Sequence, residues 1–207
     1  MRQTEHNGSE SDLYKTIRDP SEGLFKDRGS KFISYAFPVQ NEEEVKTHIR
    51  KLKKDHHSAR HHCYAFRIGT KEHHYRVNDD GEPSGTAGKP VYGQLLSYDL
   101  TNILIVVVRY FGGTLLGTSG LIHAYRSAAE DCLQHADIIE RTVEKKLRLS
   151  FTYEQMSQVM HIIKEEGLIV ENQDFREDCR IEVNVRESWI PAMRERFGQI
   201  PGLIIEQ

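Results

Sequence analysis

The stretch from Asn102 to Leu121, NILIVVVRYFGGTLLGTSGL, decides the fold of the first part of the chain. Its first half is apolar and rich in β-branched residues at consecutive positions, which predicts a strand buried on both faces at the centre of a sheet. The glycines that follow permit a tight corner. Leu121 then opens the apolar face of a long helix, with Thr118 or Ser119 as its expected cap. This order of elements predicts an α+β domain.

The residues before this stretch predict further strands and two helices. Residues 31–39 are typical of a strand, and Asn41 followed by three glutamates is a good helix start, because carboxylates favour the positive end of the helix dipole. An apolar stripe of Val45, Ile49 and Leu52 supports that helix. Residues 63–68 and 74–77 predict a strand pair around a turn at Gly69, and residues 90–98 predict a short helix.

The last third of the chain predicts a second domain of different architecture. Alternating apolar residues at 147–151 and 181–185, with a candidate strand at 168–175 and a closing strand at 203–205, predict four strands. Helical spacing at 156–163, ended by Gly167, and at 190–197, capped by Ser188, predicts two helices, and Glu177 with Asp178 predicts a turn. The order β-α-β-β-α-β is that of the ferredoxin-like fold. The predicted boundaries are a flexible tail at 1–14, a first domain at 15–138 and a ferredoxin-like domain at 139–207.

The composition is that of an ordinary globular protein. The longest apolar run, residues 103–108, is far shorter than the ~20 residues of a membrane-spanning helix, so no membrane partner is expected. The three cysteines are scattered and odd in number, which favours buried free thiols and a cytoplasmic location. The net charge of −3 argues against a protein that coats nucleic acid by charge alone.

The glycine-rich stretch DDGEPSGTAGKP, residues 79–90, is the most unusual in the chain. Its glycines free the backbone to present several N–H groups to one anion, and the helix expected after it adds a positive dipole end. The spacing matches neither a phosphate-binding loop of nucleotide hydrolases nor a dinucleotide fingerprint. A structured loop with turn chemistry is the alternative. The candidate ligand-binding residues here are Asp79, Asp80, Gly81, Glu82, Ser84, Gly85, Thr86, Gly88 and Lys89.

A second loop leaves the central strand and carries an arginine and two aromatic residues. They could supply a charge and stacking faces to a nucleic-acid or peptide partner. Alternatively the aromatic side chains pack under the loop and the glycines only make the corner. The candidates here are Arg109, Tyr110, Phe111, Gly112 and Gly113, with Arg60, His61 and Arg126 as further cationic candidates.

Catalytic and metal chemistry have little support. No nucleophile elbow surrounds Ser84, Thr86, Ser119 or Cys63, and the paired histidines do not combine with a cysteine into a zinc-binding pattern. The sequence therefore predicts no enzymatic activity, no metal and no cofactor.

Three motifs within residues 56–122 carry a specific resemblance. They are HxxAxHxCxA from His56, NDDGEPSGTAGxP from Asn78, and RYFGG from Arg109 with LG at 116–117 and GLI at 120–122. In this order they resemble the signature of the IMPACT/YigZ family. Lys89 stands where the family varies, and Thr118 and Ser119 stand where small residues are common.

The resemblance implies both a fold and a function. The first domain is expected to have the ribosomal-protein-like β-α fold of elongation factor G domain IV, and the second to resemble the ferredoxin-like domain V. Eukaryotic relatives regulate translation through a starvation-response kinase pathway, whereas the second domain here looks bacterial. The expected partner is therefore a ribosome, RNA or a translation factor. The alternatives are a small-anion-binding enzyme or metabolite sensor using the same loop, and a protein-interaction module regulating the kinase pathway.

Overall fold

The computed structural model describes residues 12–176 and 179–206. The chain forms two compact units, Tyr14–Arg141 and a second unit that begins at Thr142 and includes residues 12–13. Most of the predicted flexible tail lies outside the described residues, as does the predicted turn at Glu177 and Asp178. Leu13 and Tyr14 belong to the predicted tail but lie in the first strand, so the tail ends earlier than predicted.

The first unit contains seven strands and three helices among the described residues. Their bounds are β1 Leu13–Ile17, β2 Ser21–Asp27, β3 Ser30–Pro38, α1 Glu42–Asp55, β4 His61–Ile68, β5 His74–Asn78, α2 Gly88–Ser97, β6 Ile103–Tyr110, α3 Gly117–Gln134 and β7 Ile138–Thr142. Five strands form an antiparallel sheet in the order β2-β3-β6-β4-β5, and β1 pairs with β7 in a separate two-stranded sheet.

The central strand β6 is buried along both faces, as its sequence predicts. Ile103, Ile105 and Val107 pack in one cluster with residues of α2 and α3. The alternate residues of the strand pack in a second cluster with Val45 and Leu52 of α1. The sheet therefore separates two apolar layers, which is why this strand has no polar side in its sequence.

Helices α1 and α3 begin in different ways. In α1 the side chain of Asn41 accepts a hydrogen bond from the amide of Glu44 (3.0 Å), and the Glu44 carboxylate accepts one from the amide of Gln40 (2.8 Å), so the predicted start is confirmed. In α3 no side chain from the described part of the chain caps the first turn. The predicted cap at Thr118 or Ser119 is wrong, because both residues lie after the helix has begun.

The second unit has the predicted ferredoxin-like fold. Its elements are β8 Glu144–Phe151, α4 Met156–Glu165, β9 Ile169–Asp174, β10 Cys179–Arg186, α5 Ile190–Gly198 and β11 Ile204–Glu206, and the antiparallel sheet has the order β11-β8-β10-β9. Ser188 lies within a short 3₁₀ turn, Glu187–Trp189, and does not cap α5. Within the described residues, no helix has the length and apolar character needed to cross a membrane.

Candidate functional site

The glycine-rich loop between β5 and α2 closes around a carboxylate of its own chain. Oδ2 of Asp79 accepts a hydrogen bond from the amide of Gly85 (2.8 Å), and Oδ1 accepts bonds from the amides of Ala87 (3.0 Å) and Gly88 (2.8 Å). These are the amides that the sequence suggested for an external anion. The expectation that they open outward is wrong, because a carboxylate only a few residues away occupies the concavity they form.

The remaining loop residues shape this turn. Gly81 and Gly85 have φ angles of +92° and +77°, which residues other than glycine rarely adopt. A Cβ atom on Gly88 would lie 2.7 Å from the backbone nitrogen of Asn78. The hydroxyl of Thr86 donates to the carbonyl of Pro83 (2.7 Å). The exposed candidates on this loop are Gly81, Ser84 and Lys89.

Asp80 fastens the loop to the beginning of β4. Its Oδ2 accepts from the amide of His62 (2.7 Å), and its Oδ1 lies 3.2 Å from Nζ of Lys53. Its backbone carbonyl accepts from Nδ1 of His61 (2.9 Å). Because a carbonyl only accepts, the ring of His61 carries a proton on Nδ1 and presents Nε2 toward Glu82, 4.0 Å away.

A buried ion pair joins the two loops. Nη1 of Arg109 donates to Oε1 of Glu82 (2.6 Å), and these two side chains are only 6% and 4% exposed. The hydroxyl of Tyr125 donates to the same oxygen (2.8 Å). The guanidinium lies 5.4 Å from the ring centroid of Phe32 and 5.6 Å from that of Phe111. Arg109 is therefore a paired internal cation, which corrects its expected role as an open contact for nucleic acid.

The thiol next to this network is protonated at neutral pH. Sγ of Cys63 donates to the backbone carbonyl of Asp79 (3.0 Å) and lies 3.3 Å from the hydroxyl of Tyr125. Burial raises the pKa of both the Cys63 thiol and the Tyr125 phenol. Since the thiolate is the nucleophilic form, this arrangement does not activate Cys63.

Above the ion pair the first unit has a pocket of about 450 Å³. Its wall includes the ion pair itself, the first residues of α3, Gly117 and Thr118, and the side chains of Arg60 and His61. Phe111 and Leu115 form its rim and are 49% and 82% exposed. The other apolar residues that line it are Pro83, Leu116 and Leu121.

Other candidates lie away from this pocket. Tyr110 points to the α1 side of the sheet, where its hydroxyl lies 2.8 Å from Nδ1 of His56. Gly112 has a packing role, because a Cβ atom there would lie 1.9 Å from the carbonyl carbon of Gly29. Gly113 is exposed with a φ angle of +90°. Arg126 is exposed on α3 and, like Lys89, does not line the pocket.

The pocket thus gathers five of the candidates, namely Arg60, His61, Glu82, Arg109 and Phe111, and adds apolar residues that the sequence did not single out. The sequence feature that indicates these apolar residues is the pair Leu115 and Leu116, which lies between glycines in a loop. In the part of the chain that the structure describes, no three His, Cys, Asp or Glu side chains are grouped as metal ligands would be.

Comparison with known proteins gives consistent similarities. Residues 28–133 match the Impact N-terminal domain. The chain is 34% identical to IMPACT family member YvyE of Bacillus subtilis over 187 residues, which is 90% of this chain and 86% of that protein. It is 34% identical to IMPACT family member YigZ of Escherichia coli over 150 residues, 71% of this chain and 73% of that one. A crystal structure of a hypothetical protein aligns with a TM-score of 0.72 at 26% identity, covering 94% of this chain and 96% of that chain.

Proposed function

This chain belongs to the IMPACT family, and from that premise we propose that it is a non-enzymatic regulator associated with translation. It binds its partner, a component of the translation machinery, through the pocket of the first unit. The observation that carries the proposal is the exposure of Phe111 and Leu115 at the rim of that pocket. Large apolar side chains grouped at a concave surface are typical of an interaction site.

The chemistry of the pocket favours binding over catalysis. Glu82 is held by Arg109 and Tyr125, and the neighbouring Cys63 is buried with a raised pKa. A general base or nucleophile needs access to the substrate and a pKa near the working pH. These groups instead form a buried, hydrogen-bonded support beneath an apolar rim.

Among ribosome, RNA and translation factor, the pocket favours a protein surface. The amides that could have held phosphate are bound to Asp79, and the charge of Arg109 is balanced by Glu82. RNA recognition relies on unbalanced cations along a path and on open stacking faces. The two rim residues offer apolar area for a ribosomal protein or a translation factor.

The proposal is tested by capture on purified ribosomes and on a translation-factor fraction, before and after nuclease treatment. We expect wild-type protein to bind a nuclease-resistant component and Leu115→Ser to weaken the binding about tenfold. Burial of a leucine side chain contributes about 1.5–3 kcal/mol, and about 1.4 kcal/mol corresponds to a tenfold change in Kd. Leu96→Ser is the matched control, because Leu96 is a half-exposed leucine of α2 outside the pocket. The affinity should depend only weakly on salt.

Two outcomes would count against this proposal. If neither fraction retains the protein, the association with translation is wrong. If binding is lost with nuclease and falls steeply with salt, the partner is RNA and the phosphate contacts lie elsewhere.

A further inference from the structure

The pocket retains cationic donors that its own residues do not use. Among the described residues Arg109 donates only one side-chain hydrogen bond, from Nη1, although a guanidinium has five N–H donors. Its Nε is buried and has no hydrogen-bond partner within residues 12–176 and 179–206. Arg60 is exposed on the pocket wall and forms no ion pair with a described residue. Two arginines against the single carboxylate of Glu82 leave one formal positive charge.

The beginning of α3 adds to this charge. Gly117 and Thr118, its first two residues, line the pocket. The helix has 18 residues, its first turn contains no acidic residue, and no side chain among the residues that the structure describes caps it. The first amides of a helix have no partner within it, and the dipole makes this end positive, so a negative group is favoured there.

The same pocket is largely apolar elsewhere. Pro83, Leu116 and Leu121 line it, and Phe111 and Leu115 extend the apolar surface to its rim. A ligand that satisfies both halves carries one negative charge beside an apolar group. A phosphate dianion fits less well, because it exceeds the single unbalanced charge. A volume of about 450 Å³ lies toward the lower end of the ~300–1,000 Å³ range of ligand pockets.

We propose that this pocket binds the C-terminal residue of a partner polypeptide, and that this residue has an apolar side chain. A C-terminal residue carries a carboxylate and a side chain on the same Cα atom, so one short unit reaches both the positive end of α3 and the apolar wall. The carboxylate is bound by Arg60, Arg109 and the first amides of α3. The inference rests on the proposed function and specifies which part of the protein partner enters the pocket.

The test uses NMR of the ¹⁵N-labelled full chain with three acetylated tetrapeptides. One ends in leucine with a free carboxylate, the second is its C-terminal amide, and the third ends in serine with a free carboxylate. We expect the first to shift the amide signals of Gly117 and Thr118 saturably. The other two should bind at least about tenfold more weakly, because each lacks either the charge-assisted hydrogen bonds or the apolar group.

Two arginine variants test whether the side chain of Arg60 binds the peptide carboxylate. Arg60→Gln should weaken the leucine acid about tenfold while leaving the weak binding of its amide unchanged, since only the acid pairs with the guanidinium. Arg126→Gln, an exposed arginine on α3 outside the pocket, is the matched control and should bind like wild type. Equal binding of acid and amide, or equal loss in both arginine variants, would overturn the inference.

The remaining outcomes separate this inference from the proposed function. If no peptide shifts the α3 amides at ~5 mM, about five times a Kd of 1 mM, the inference is wrong. A translation component captured through Leu115 would still support the proposed function in that case. If inorganic phosphate shifts the same amides as strongly as the leucine acid, the pocket is a general anion site and the C-terminal assignment fails. Peptide discrimination without capture of any translation component would overturn only the proposed function.

Discussion

Asp79→Asn tests whether the loop between β5 and α2 is held closed by its own carboxylate. One oxygen of Asp79 accepts from the amides of Ala87 and Gly88, and the other accepts from the amide of Gly85. Asparagine has the same shape, but one of the two oxygens becomes an NH₂ group that donates. At least one backbone N–H therefore loses its acceptor, and the bonds that remain lose the assistance of the charge.

The expected cost follows from these three bonds. A hydrogen bond to a charged group contributes about 1.5–3 kcal/mol, and a buried donor left unpaired costs about 1–3 kcal/mol. All three bonds are partly buried, so water replaces some of the loss. We expect Asp79→Asn to lower the free energy of opening this loop by about 2–4 kcal/mol. Asp79→Ala, which removes all three acceptors, should have at least the same effect.

Hydrogen exchange measures this opening directly. A loss of 2–4 kcal/mol corresponds to exchange of the three amides about 30- to 1,000-fold faster. Ser84→Ala, an exposed substitution in the same loop, should leave their exchange unchanged. The only tryptophan, Trp189, lies in the second unit, so fluorescence would follow the wrong part of the chain. Amides of β8 in the second unit serve as an internal reference.

Two results would refute the reasoning. Unchanged exchange of Gly85, Ala87 and Gly88 in Asp79→Asn would mean that the carboxylate does not hold the loop. Slower exchange of these amides in the wild-type protein on addition of phosphate would mean that they are open to external anions after all.

Three further predictions concern the support of the site. Gly112→Ala should prevent folding or cost more than about 3 kcal/mol, because its Cβ would lie 1.9 Å from the carbonyl carbon of Gly29 and 2.2 Å from the amide nitrogen of Ser30. Gly93→Ala, in an open helical position, should instead stabilise by about 0.5–1 kcal/mol, and thermal unfolding measures both effects. Glu82→Gln and Arg109→Met should each lower the free energy of unfolding by about 3–5 kcal/mol, because each leaves the other charge buried and unpaired. The double variant leaves neither charge unpaired, so denaturant unfolding should show a loss clearly smaller than the sum of the two. Burial raises the pKa of Cys132 to about 12, so on raising the pH the unfolded chain loses this thiol proton before the folded chain does. The free energy of unfolding should therefore fall as the pH rises above about 8.5, and Cys132→Ala should reduce that slope.

The fold could be predicted from the sequence where apolar residues form a continuous run or a regular alternation. The uninterrupted run of β6 predicted a central strand, and the alternation in β8 and β10 predicted half-buried strands of the ferredoxin-like unit. The sequence did not predict β2, although its residues alternate between buried and exposed. Two of its buried positions are Ser21 and Gly23, whose small size lets α3 approach; a Cβ atom on Gly23 would lie 2.4 Å from the amide nitrogen of Cys132. Hydrophobic periodicity does not register such contacts.

The candidate site was only partly readable because several glycines and an adjacent carboxylate have two structural interpretations. A run of turns that gathers N–H groups favours an anion, but the pattern does not say whether the anion is a ligand or a side chain. The choice depended on where the Asp79 carboxylate points, which backbone torsions decide. The rim residue Leu115 was missed for the opposite reason, since a single leucine in a loop carries no periodic signal.

The motif residues of the pocket fall into two groups: buried residues that support it and exposed residues that are free to contact a partner. Glu82 and Arg109 belong to different motifs and meet only through the fold, in a pair so buried that the loss of one partner leaves an uncompensated charge. Stability therefore opposes the replacement of either residue without the other. Recognition also needs groups that reach solvent above the pair, and in this pocket these include Arg60, Phe111 and Leu115. Changes to the pair should accordingly alter folding and binding together, whereas changes to Arg60 and Leu115 should alter binding alone.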